Sequence, residues 1–216
     1  MNTNYIKSDL FSKFPEIEHG FGNAHAVWPV DIILMPQKHT NNVVIVDELP
    51  VNYIPVADAM LTHVHSVMLG VKTADCLPIL LYNPKIRIVG VIHAGWRGLA
   101  NKVIFNAVEK LCTFYNAREE DTYFAIGPGI CKKCYEVSME VFDSINSIIN
   151  VKTAFRKTSK NKGLLDLSSI AHKELEAAGI PGANISNINM CTKCSKGFHS
   201  HRAGSKERQV SYIKIL

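Results

Sequence analysis

The chain has 216 residues, of which 47% are hydrophobic and 20% are charged, an ordinary globular composition that excludes a wholly disordered protein. Its net charge of +5 at pH 7 favours small anionic ligands and is too low to indicate nucleic-acid binding. Nine histidines and six cysteines are the unusual part of the composition, because both residue types bind metals and carry proton or nucleophile chemistry.

The sequence carries no visible targeting or membrane signal. The N-terminal residues lack the basic and then apolar segments of a signal peptide. No run approaches the roughly 18 uncharged apolar residues that a membrane span needs, and the apolar run at 77–82 has the length of a strand. We therefore expect a cytoplasmic protein without a membrane partner, whose cysteines are reduced thiols or metal ligands.

Hydrophobic periodicity and turn residues predict the secondary structure. The predicted strands are 43–46, 66–73, 77–82, 86–93, 123–126, 185–190 and 209–215, and the predicted helices are 99–115, 137–149 and 167–178. Their irregular alternation predicts one mixed α/β or α+β domain over residues 1–216. Cys112 continues the apolar stripe of the first helix, so we expect a buried, inert thiol, and the basic segment 152–162 is expected to be a solvated loop.

Two motifs at strand ends form the densest group of reactive side chains. Thr73-Ala-Asp-Cys76 follows one predicted strand, and His93-Ala-Gly-Trp-Arg-Gly98 joins another to a helix. Strand ends that face helix N-termini are favoured ligand sites in α/β proteins. Arg97 near the helix start could hold a phosphate, and Asp75 could carry a proton or orient a ligand of a metal.

His39 lies in a predicted loop and gains a role only if the fold brings it to Cys76 and His93. Two histidines and one cysteine would leave a fourth coordination position open, which is the pattern of catalytic zinc. Zinc in such a site lowers the pKa of bound water toward ~7. The alternative is that His39 is a surface residue and the His93 motif a packed turn.

Two C-x-x-C pairs, Cys131–Cys134 and Cys191–Cys194, suggest a zinc ribbon. Residues 135–190 separate the pairs, however, whereas the usual ribbon spacing is about 15–20 residues. The gap also contains two predicted helices. We therefore expect reduced thiols near the mouth of a pocket rather than a closed zinc site.

Two His-x-His pairs, His63/His65 and His199/His201, could each chelate a metal if extended, although surface loops are the simpler expectation. The C-terminal run from Lys193 to Arg208 is basic but contains a single aromatic residue, Phe198. That is too little for a base-stacking surface, so we do not expect a nucleic-acid partner.

Four motifs occur in an order that resembles a known family. They are Thr73-Ala-Asp-Cys76, His93-Ala-Gly-Trp-Arg-Gly98, Gly127-Pro-Gly-Ile-Cys-Lys-Lys-Cys-Tyr-Glu-Val137 and Cys191-Thr-x-Cys followed by Phe198-x-Ser-x-Arg202. This is similar to the YfiH family, also called the laccase-domain or polyphenol oxidase family or peptidoglycan editing factor, to which mammalian FAMIN belongs. The resemblance covers roughly residues 36–216 and implies a layered α/β/β/α sandwich related to the catalytic domain of cytotoxic necrotizing factor toxins.

The resemblance also implies a function. Zn²⁺ would be bound by His39, from the motif Gln37-Lys-His39, together with Cys76 and His93. The implied substrates are purine nucleosides (adenosine, inosine, guanosine and methylthioadenosine), cleaved by phosphate, with deamination of adenosine as a second activity. Cys76, Asp75 and Arg97 are then the expected catalytic residues, with Arg97 holding phosphate and Asp75 transferring a proton to the leaving base. We expect Gln37 and Arg202 to contact substrate, and the protein to act as a monomer or homodimer.

Three alternatives remain open from the sequence. The first is a copper-dependent polyphenol oxidase, since a His₂Cys set can also bind copper. True laccases add a trinuclear cluster fed by four His-x-His pairs, and this chain has two. The second is a cysteine hydrolase that edits a cell-wall precursor, with Cys76 as nucleophile and His93 as base. The third is a non-enzymatic zinc-ribbon module built on the two C-x-x-C pairs.

Overall fold

A computed structural model describes residues 4–48, 53–147 and 152–216 of the chain. The strands in these ranges are β1 (Tyr5–Ile6), β2 (Ile17–Gly22), β3 (Ile32–Leu34), β4 (Val43–Ile45), β5 (Ala59–Thr62), β6 (Met68–Thr73), β7 (Leu77–Asn83), β8 (Ile88–Ala94), β9 (Tyr123–Ile126), β10 (Glu136–Ser138), β11 (Phe155–Lys157), β12 (Lys162–Leu165), β13 (Ile185–Asn187) and β14 (Gln209–Ile215). The helices are α1 (Trp96–Ala100), α2 (Val103–Tyr115), α3 (Met139–Asn146) and α4 (Leu167–Ala177).

A six-stranded sheet in the order β13-β9-β7-β8-β5-β4 divides two hydrophobic cores. Because side chains alternate across a strand, Ile79 and Leu81 of β7 point into the core shared with the helices. Leu80 and Tyr82 of the same strand point into the core on the other face. Both faces of β7 are therefore covered, which explains why residues 77–82 read as an uninterrupted apolar run.

The second core lies between this sheet and a five-stranded sheet in the order β1-β2-β14-β6-β3. Strand β14, the last in the sequence, lies between β2 and β6 and pairs antiparallel with both, so early and late parts of the chain share this sheet. Leu69 and Val71 of β6 and Ile213 of β14 pack in the inter-sheet core. Two stacked sheets with helices against the six-stranded one confirm the predicted layered, mixed α/β sandwich.

The predicted helix over 99–115 is wrong as a single element. Lys102 adopts a left-handed conformation (φ 60°) and separates α1 from α2. The break lets α1 start at the end of β8, whereas α2 packs along the helix-side core. Cys112 on α2 is half-buried rather than fully buried, and burial raises the pKa of its thiol to about 11, consistent with an inert thiol.

Two other segments also differ from their prediction. The basic segment 152–162 is not a loop, because β11 and β12 pair antiparallel there as a hairpin. Phe155 stacks on Phe142 of α3 with ring centroids 4.2 Å apart, which ties this hairpin to the domain. The predicted helix over 137–149 begins as strand β10 and becomes helical only at Met139, and positions 148–149 of that prediction lie outside the described residues.

The closing strand predicted at 185–190 is shorter, ending at Asn187. Among the described residues, no helix combines the length and the apolar character needed to span a bilayer.

Candidate active site

Three separate segments bring His39, Cys76 and His93 together. Cys76 precedes β7 and His93 lies near the end of β8, and these antiparallel neighbours pair Leu77 with Ala94. His39 comes from the segment between β3 and β4. One ligand atom from each side chain lies within 4.8 Å of the others, and Cys76 Sγ is 3.7 Å from His39 Nε2.

Asp58 holds two of these three residues and was not predicted from the sequence. Its fully buried carboxylate lies 2.7 Å from His93 Nδ1. The same carboxylate accepts hydrogen bonds from the backbone N–H groups of Lys38 (3.2 Å), His39 (3.0 Å) and Thr40 (2.6 Å), and from the Thr40 hydroxyl (2.8 Å). It therefore orients the His93 ring, leaves Nε2 toward the cluster, and fixes the His39 segment. A carboxylate behind a histidine ligand is typical of metal sites.

The electrostatics of the cluster favour a thiolate. Burial alone would raise the pKa of Cys76, but hydrogen bonds to His39 and His93 and their charges lower it to about 6. Burial would lower the pKa of His93, yet hydrogen bonds to Asp58 and Cys76 raise it to about 9. Burial opposes ionisation of Asp58 as well, and its bonds to His93 and Thr40 bring its pKa down to about 2.

Gly95 leaves the space beside the cluster open. A Cβ atom at this position would lie 2.7 Å from Cys76 Sγ and 2.9 Å from His39 Cδ2, closer than real contacts allow. The absence of a side chain therefore keeps a small cradle between thiol and imidazole. Two imidazoles, one thiol and this cradle fit a metal ion bound by three protein ligands.

Backbone strain marks two residues of the site. His39 has φ 60° and Asp75 has φ 92°, a region that non-glycine residues seldom adopt and that costs of order 1–3 kcal/mol. The Asp75 carboxylate is buried and accepts hydrogen bonds from the Thr192 hydroxyl and the Arg202 backbone N–H, each at 2.7 Å. Asp75 thus ties the Cys76 segment to the residues between β13 and β14.

The three clustered residues line a cavity of about 590 Å³ that is rich in positive charge. Its cationic lining residues are Lys72, Arg97, Arg202 and Arg208, and Asp75 is the one carboxylate among the described lining residues. Such a cavity suits a small anionic ligand.

The predicted substrate contacts also line this cavity, but they differ in how free their side chains are. Arg97 is exposed and stacks over the Trp96 ring at 4.3 Å. The Arg202 guanidinium stacks over Tyr135 at 4.7 Å and donates to the Glu136 carbonyl. The Gln37 amide is engaged, because it donates to the Lys72 carbonyl at 2.8 Å and accepts from its N–H at 2.9 Å.

Neither His-x-His pair forms a metal cluster. All nine histidines lie in the described ranges, and only His39 and His93 belong to a group with the spacing of metal ligands. His63 contacts Asp47 at 2.9 Å, and His65 contacts the Leu216 carbonyl at 3.0 Å. His201 lines the cavity, which the sequence did not indicate.

The fold brings the two C-x-x-C pairs together, although 56 residues separate them in the sequence. The sulfur atoms of Cys131, Cys134, Cys191 and Cys194 all lie within 4.8 Å of one another. The spacing argument fails because β9 and β13 are parallel neighbours. The long insertion between the pairs therefore leaves the sheet and returns beside its point of departure.

Residues 18–216 match the family described as multi-copper polyphenol oxidoreductase laccase. The chain is 32% identical over 191 residues to adenosine deaminase RL5 from an unknown prokaryotic organism, covering 81% of this chain and 71% of that protein. It is 33% identical over 189 residues to purine nucleoside phosphorylase RP494 of Rickettsia prowazekii (strain Madrid E), covering 86% and 76%. It is 34% identical over 165 residues to purine nucleoside phosphorylase YlmD of Geobacillus stearothermophilus, covering 74% of this chain and 60% of that protein.

Two solved structures share the fold described above. The crystal structure of the Bacillus licheniformis hypothetical protein YfiH superposes with a TM-score of 0.90 at 22% identity, covering 99% of this chain and 97% of that one. The crystal structure of YlmD from Geobacillus stearothermophilus gives 0.89 at 24% identity, covering 100% and 97%. With a family match over most of its length and this fold, the chain belongs to the laccase-domain (YfiH) family.

Proposed function

We propose that this protein is a zinc-dependent purine nucleoside phosphorylase, acting on adenosine, inosine, guanosine and methylthioadenosine, that also deaminates adenosine. The observation that carries the proposal is the convergence of His39, Cys76 and His93 on one cavity lined by cationic side chains. The names of the relatives, purine nucleoside phosphorylase and adenosine deaminase, support the choice of substrate.

His39, Cys76 and His93 would hold the metal, with Asp58 orienting His93 from behind. Zn²⁺ bound there would lower the pKa of a water molecule toward ~7 and so supply hydroxide for deamination. The His93–Asp58 contact presents Nε2 to the cluster, and Gly95 keeps the space beside Cys76 open. In this arrangement the metal would have three protein ligands and one coordination position left open.

Phosphorolysis needs an anion held against the ribose carbon of the glycosidic bond. We assign this task to Arg97, because its guanidinium lies in the cavity lining and no carboxylate contacts it among the described residues. Arg202 faces the same cavity and has its guanidinium steadied by Tyr135. A planar guanidinium can donate two parallel hydrogen bonds to phosphate oxygens.

Asp75 is proposed to assist proton transfer to the leaving purine. Its carboxylate lies next to Cys76 in the cavity lining and is held by Thr192 and by the Arg202 backbone. These bonds fix its position, which a proton carrier needs. Gln37 is proposed to shape the wall of the cavity through Lys72, and its contact with substrate remains a prediction.

A thiol hydrolase is the second candidate, because one observation favours it. Cys76 has a depressed pKa of about 6 and lies 3.7 Å from His39 Nε2, which is the arrangement of an activated nucleophile. The same sulfur cannot act as a free nucleophile while it ligates zinc. The metal content of the protein therefore separates the two proposals.

A copper oxidase of the laccase type has less support. The described residues contain two groups with ligand spacing, and neither is a histidine-rich trinuclear set. A single copper at His39, Cys76 and His93 is still compatible with the ligand types. Oxygen uptake with a phenolic substrate would reveal it.

The test is to measure bound metal and then to incubate the protein with adenosine, with and without phosphate, following the bases by chromatography. We expect zinc at the cavity, adenine release only with phosphate, and hypoxanthine-containing products from deamination. Cys76→Ser should lose both reactions, and Cys112→Ser, a cysteine outside both clusters, should keep them. Metal-free protein whose activity is blocked by thiol reagents would overturn the proposal.

A further inference from the structure

The protein contains a second group of potential metal ligands, separate from the active-site cluster. Cys131 and Cys134 follow β9, and Cys191 and Cys194 follow its parallel neighbour β13. No disulfide joins any of the four.

Backbone pairing brings the two C-x-x-C loops together. The parallel pairing of β9 with β13 continues in a bridge between Gly129 and Cys191. Within the loops, the N–H of Cys134 donates to the Cys131 carbonyl at 2.9 Å, and the N–H of Ser195 donates to the Cys191 carbonyl at 3.0 Å. Each loop is therefore a tight turn that points two sulfur atoms to one side, as in the knuckles of structural zinc sites.

The spacing of the sulfur atoms fits a tetrahedral ion. Zinc–sulfur bonds of about 2.3 Å in a tetrahedron place the sulfur atoms about 3.8 Å apart. The four sulfur atoms lie within 4.8 Å of one another, so a small inward rotation of the side chains would complete the shell. Cys191 is buried, and its sulfur already accepts a hydrogen bond from the Cys131 N–H at 3.3 Å. Backbone N–H donors of this kind stabilise thiolate ligands.

The local charge is also suitable. Four thiolates with one Zn²⁺ carry a net charge of −2, which needs cations nearby. The cationic residues within and next to the two loops are Lys132, Lys133, Lys193 and Lys196, and no acid lies between the paired cysteines. Three of these lysines are exposed and Lys132 is half-buried, so they can neutralise the excess charge at little cost of desolvation.

We propose that Cys131, Cys134, Cys191 and Cys194 bind a second, structural Zn²⁺ in a closed four-thiolate site. Binding replaces the four thiol protons, so it needs no oxidant or reductant. Four protein ligands leave no open position, so this ion has no catalytic role.

The site would brace the wall of the active-site cavity. Thr192, between the second pair of cysteines, donates its hydroxyl to the buried Asp75 carboxylate at 2.7 Å. Ile130, just before the first pair, donates its N–H to the Asp75 carbonyl at 2.9 Å. Tyr135, just after Cys134, lines the cavity and stacks with Arg202. An ion that joins the two loops would therefore hold Asp75, Tyr135 and Arg202 in place.

Metal analysis of the full-length protein, purified under reducing conditions, tests the proposal. We expect two zinc ions per molecule in the wild type, one in Cys76→Ser and one in Cys191→Ser. Cys112→Ser, the matched control, should retain two. A wild type with a single zinc that Cys76→Ser removes would overturn the proposal, and so would iron in place of zinc or a disulfide among the four cysteines.

Cobalt substitution keeps the test valid if Cys191→Ser fails to fold. Cys76→Ser removes the thiolate of the other cluster, so thiolate-to-cobalt bands in the Co²⁺-loaded protein report on the four-cysteine site. Tetrahedral thiolate coordination should give strong thiolate-to-cobalt absorption in the near ultraviolet and intense ligand-field bands in the red. A spectrum without the thiolate-to-cobalt bands would contradict the proposal. The readout does not depend on enzymatic activity, so it is independent of the proposed nucleoside chemistry.

Discussion

Asp58 contacts His93 Nδ1 at 2.7 Å and at the same time accepts the backbone N–H of His39 at 3.0 Å. One buried carboxylate thus positions two of the three proposed metal ligands, although they come from different segments of the sequence. Asp58 would therefore fix the relative positions of these two ligands in the proposed metal site.

Replacing Asp58 with asparagine should weaken zinc binding about 10–100-fold, the usual effect of losing the carboxylate behind a histidine ligand. The asparagine amide has one acceptor oxygen, so it cannot accept all the hydrogen bonds that the Asp58 carboxylate accepts from the N–H groups of Lys38, His39 and Thr40. Competition with a chromophoric chelator measures the affinity. Asp47→Asn is the matched control, because Asp47 also contacts a histidine, His63, outside the site. Equal losses in both variants would show that Asp58 has no specific role.

Gly95→Ala should fold but bind the metal at least about tenfold more weakly. The added Cβ would lie 2.7 Å from Cys76 Sγ, so the thiol must move out of the cluster. Gly182→Ala is the control, since its Cβ would meet only the flexible end of Glu176 at 3.4 Å. Thermal melting and zinc titration of both variants separate folding from binding. Unchanged zinc affinity in Gly95→Ala would show that the space beside Cys76 is not needed for metal binding.

Arg97→Ala should raise the KM for phosphate about tenfold or more, corresponding to the loss of a charged hydrogen bond worth about 1.5–3 kcal/mol. Deamination of adenosine consumes water rather than phosphate, so its rate should change little. The ratio of adenine to inosine formed at limiting phosphate is the measurement. Arg118→Ala, which removes an exposed arginine paired with Glu120, should leave that ratio unchanged. An unaltered ratio in Arg97→Ala would show that another cationic residue binds the phosphate.

Glu174 makes stability depend on pH. Burial raises its pKa to about 7, although the Phe105 N–H donates to it. The folded state holds this proton more tightly than the unfolded state, so the stabilisation is present below about pH 4.5 and is lost as the pH rises through 7. Glu174→Gln should therefore gain about 2–3 kcal/mol of unfolding free energy relative to wild type between pH 5 and pH 8. Urea unfolding at both pH values measures the gain, and Glu109→Gln, at an exposed position of α2, should show none.

The sequence pointed to Cys76 and His93 because they lie at recognisable strand ends, whereas the family resemblance added His39 to them. Cys76 and His93 flank two consecutive strands, and the hairpin register places the start of one beside the end of the other. Asp58 was missed because its partners, residues 38–40, lie on a segment with no regular structure. An isolated acid directly before the buried strand β5 was the available signal.

The convergence of the four cysteines could not be predicted from their spacing, for a topological reason. Linear spacing assumes that the residues between two C-x-x-C pairs form one compact turn. Here those residues build β10, α3, β11, β12 and α4 before they return beside β9 as β13. Side-chain periodicity carries no information on which strands become neighbours, so only the folded structure shows the convergence.

Zinc dependence of phosphorolysis is decided by titrating zinc into metal-free protein and measuring the initial rate of adenine release from adenosine and phosphate. We expect negligible release without metal and recovery as zinc fills the site formed by His39, Cys76 and His93. We also expect no recovery in Cys76→Ser and full recovery in Cys112→Ser. Phosphate-dependent adenine release at the wild-type rate by the metal-free protein, or by Cys76→Ser, would contradict a zinc-dependent phosphorylase.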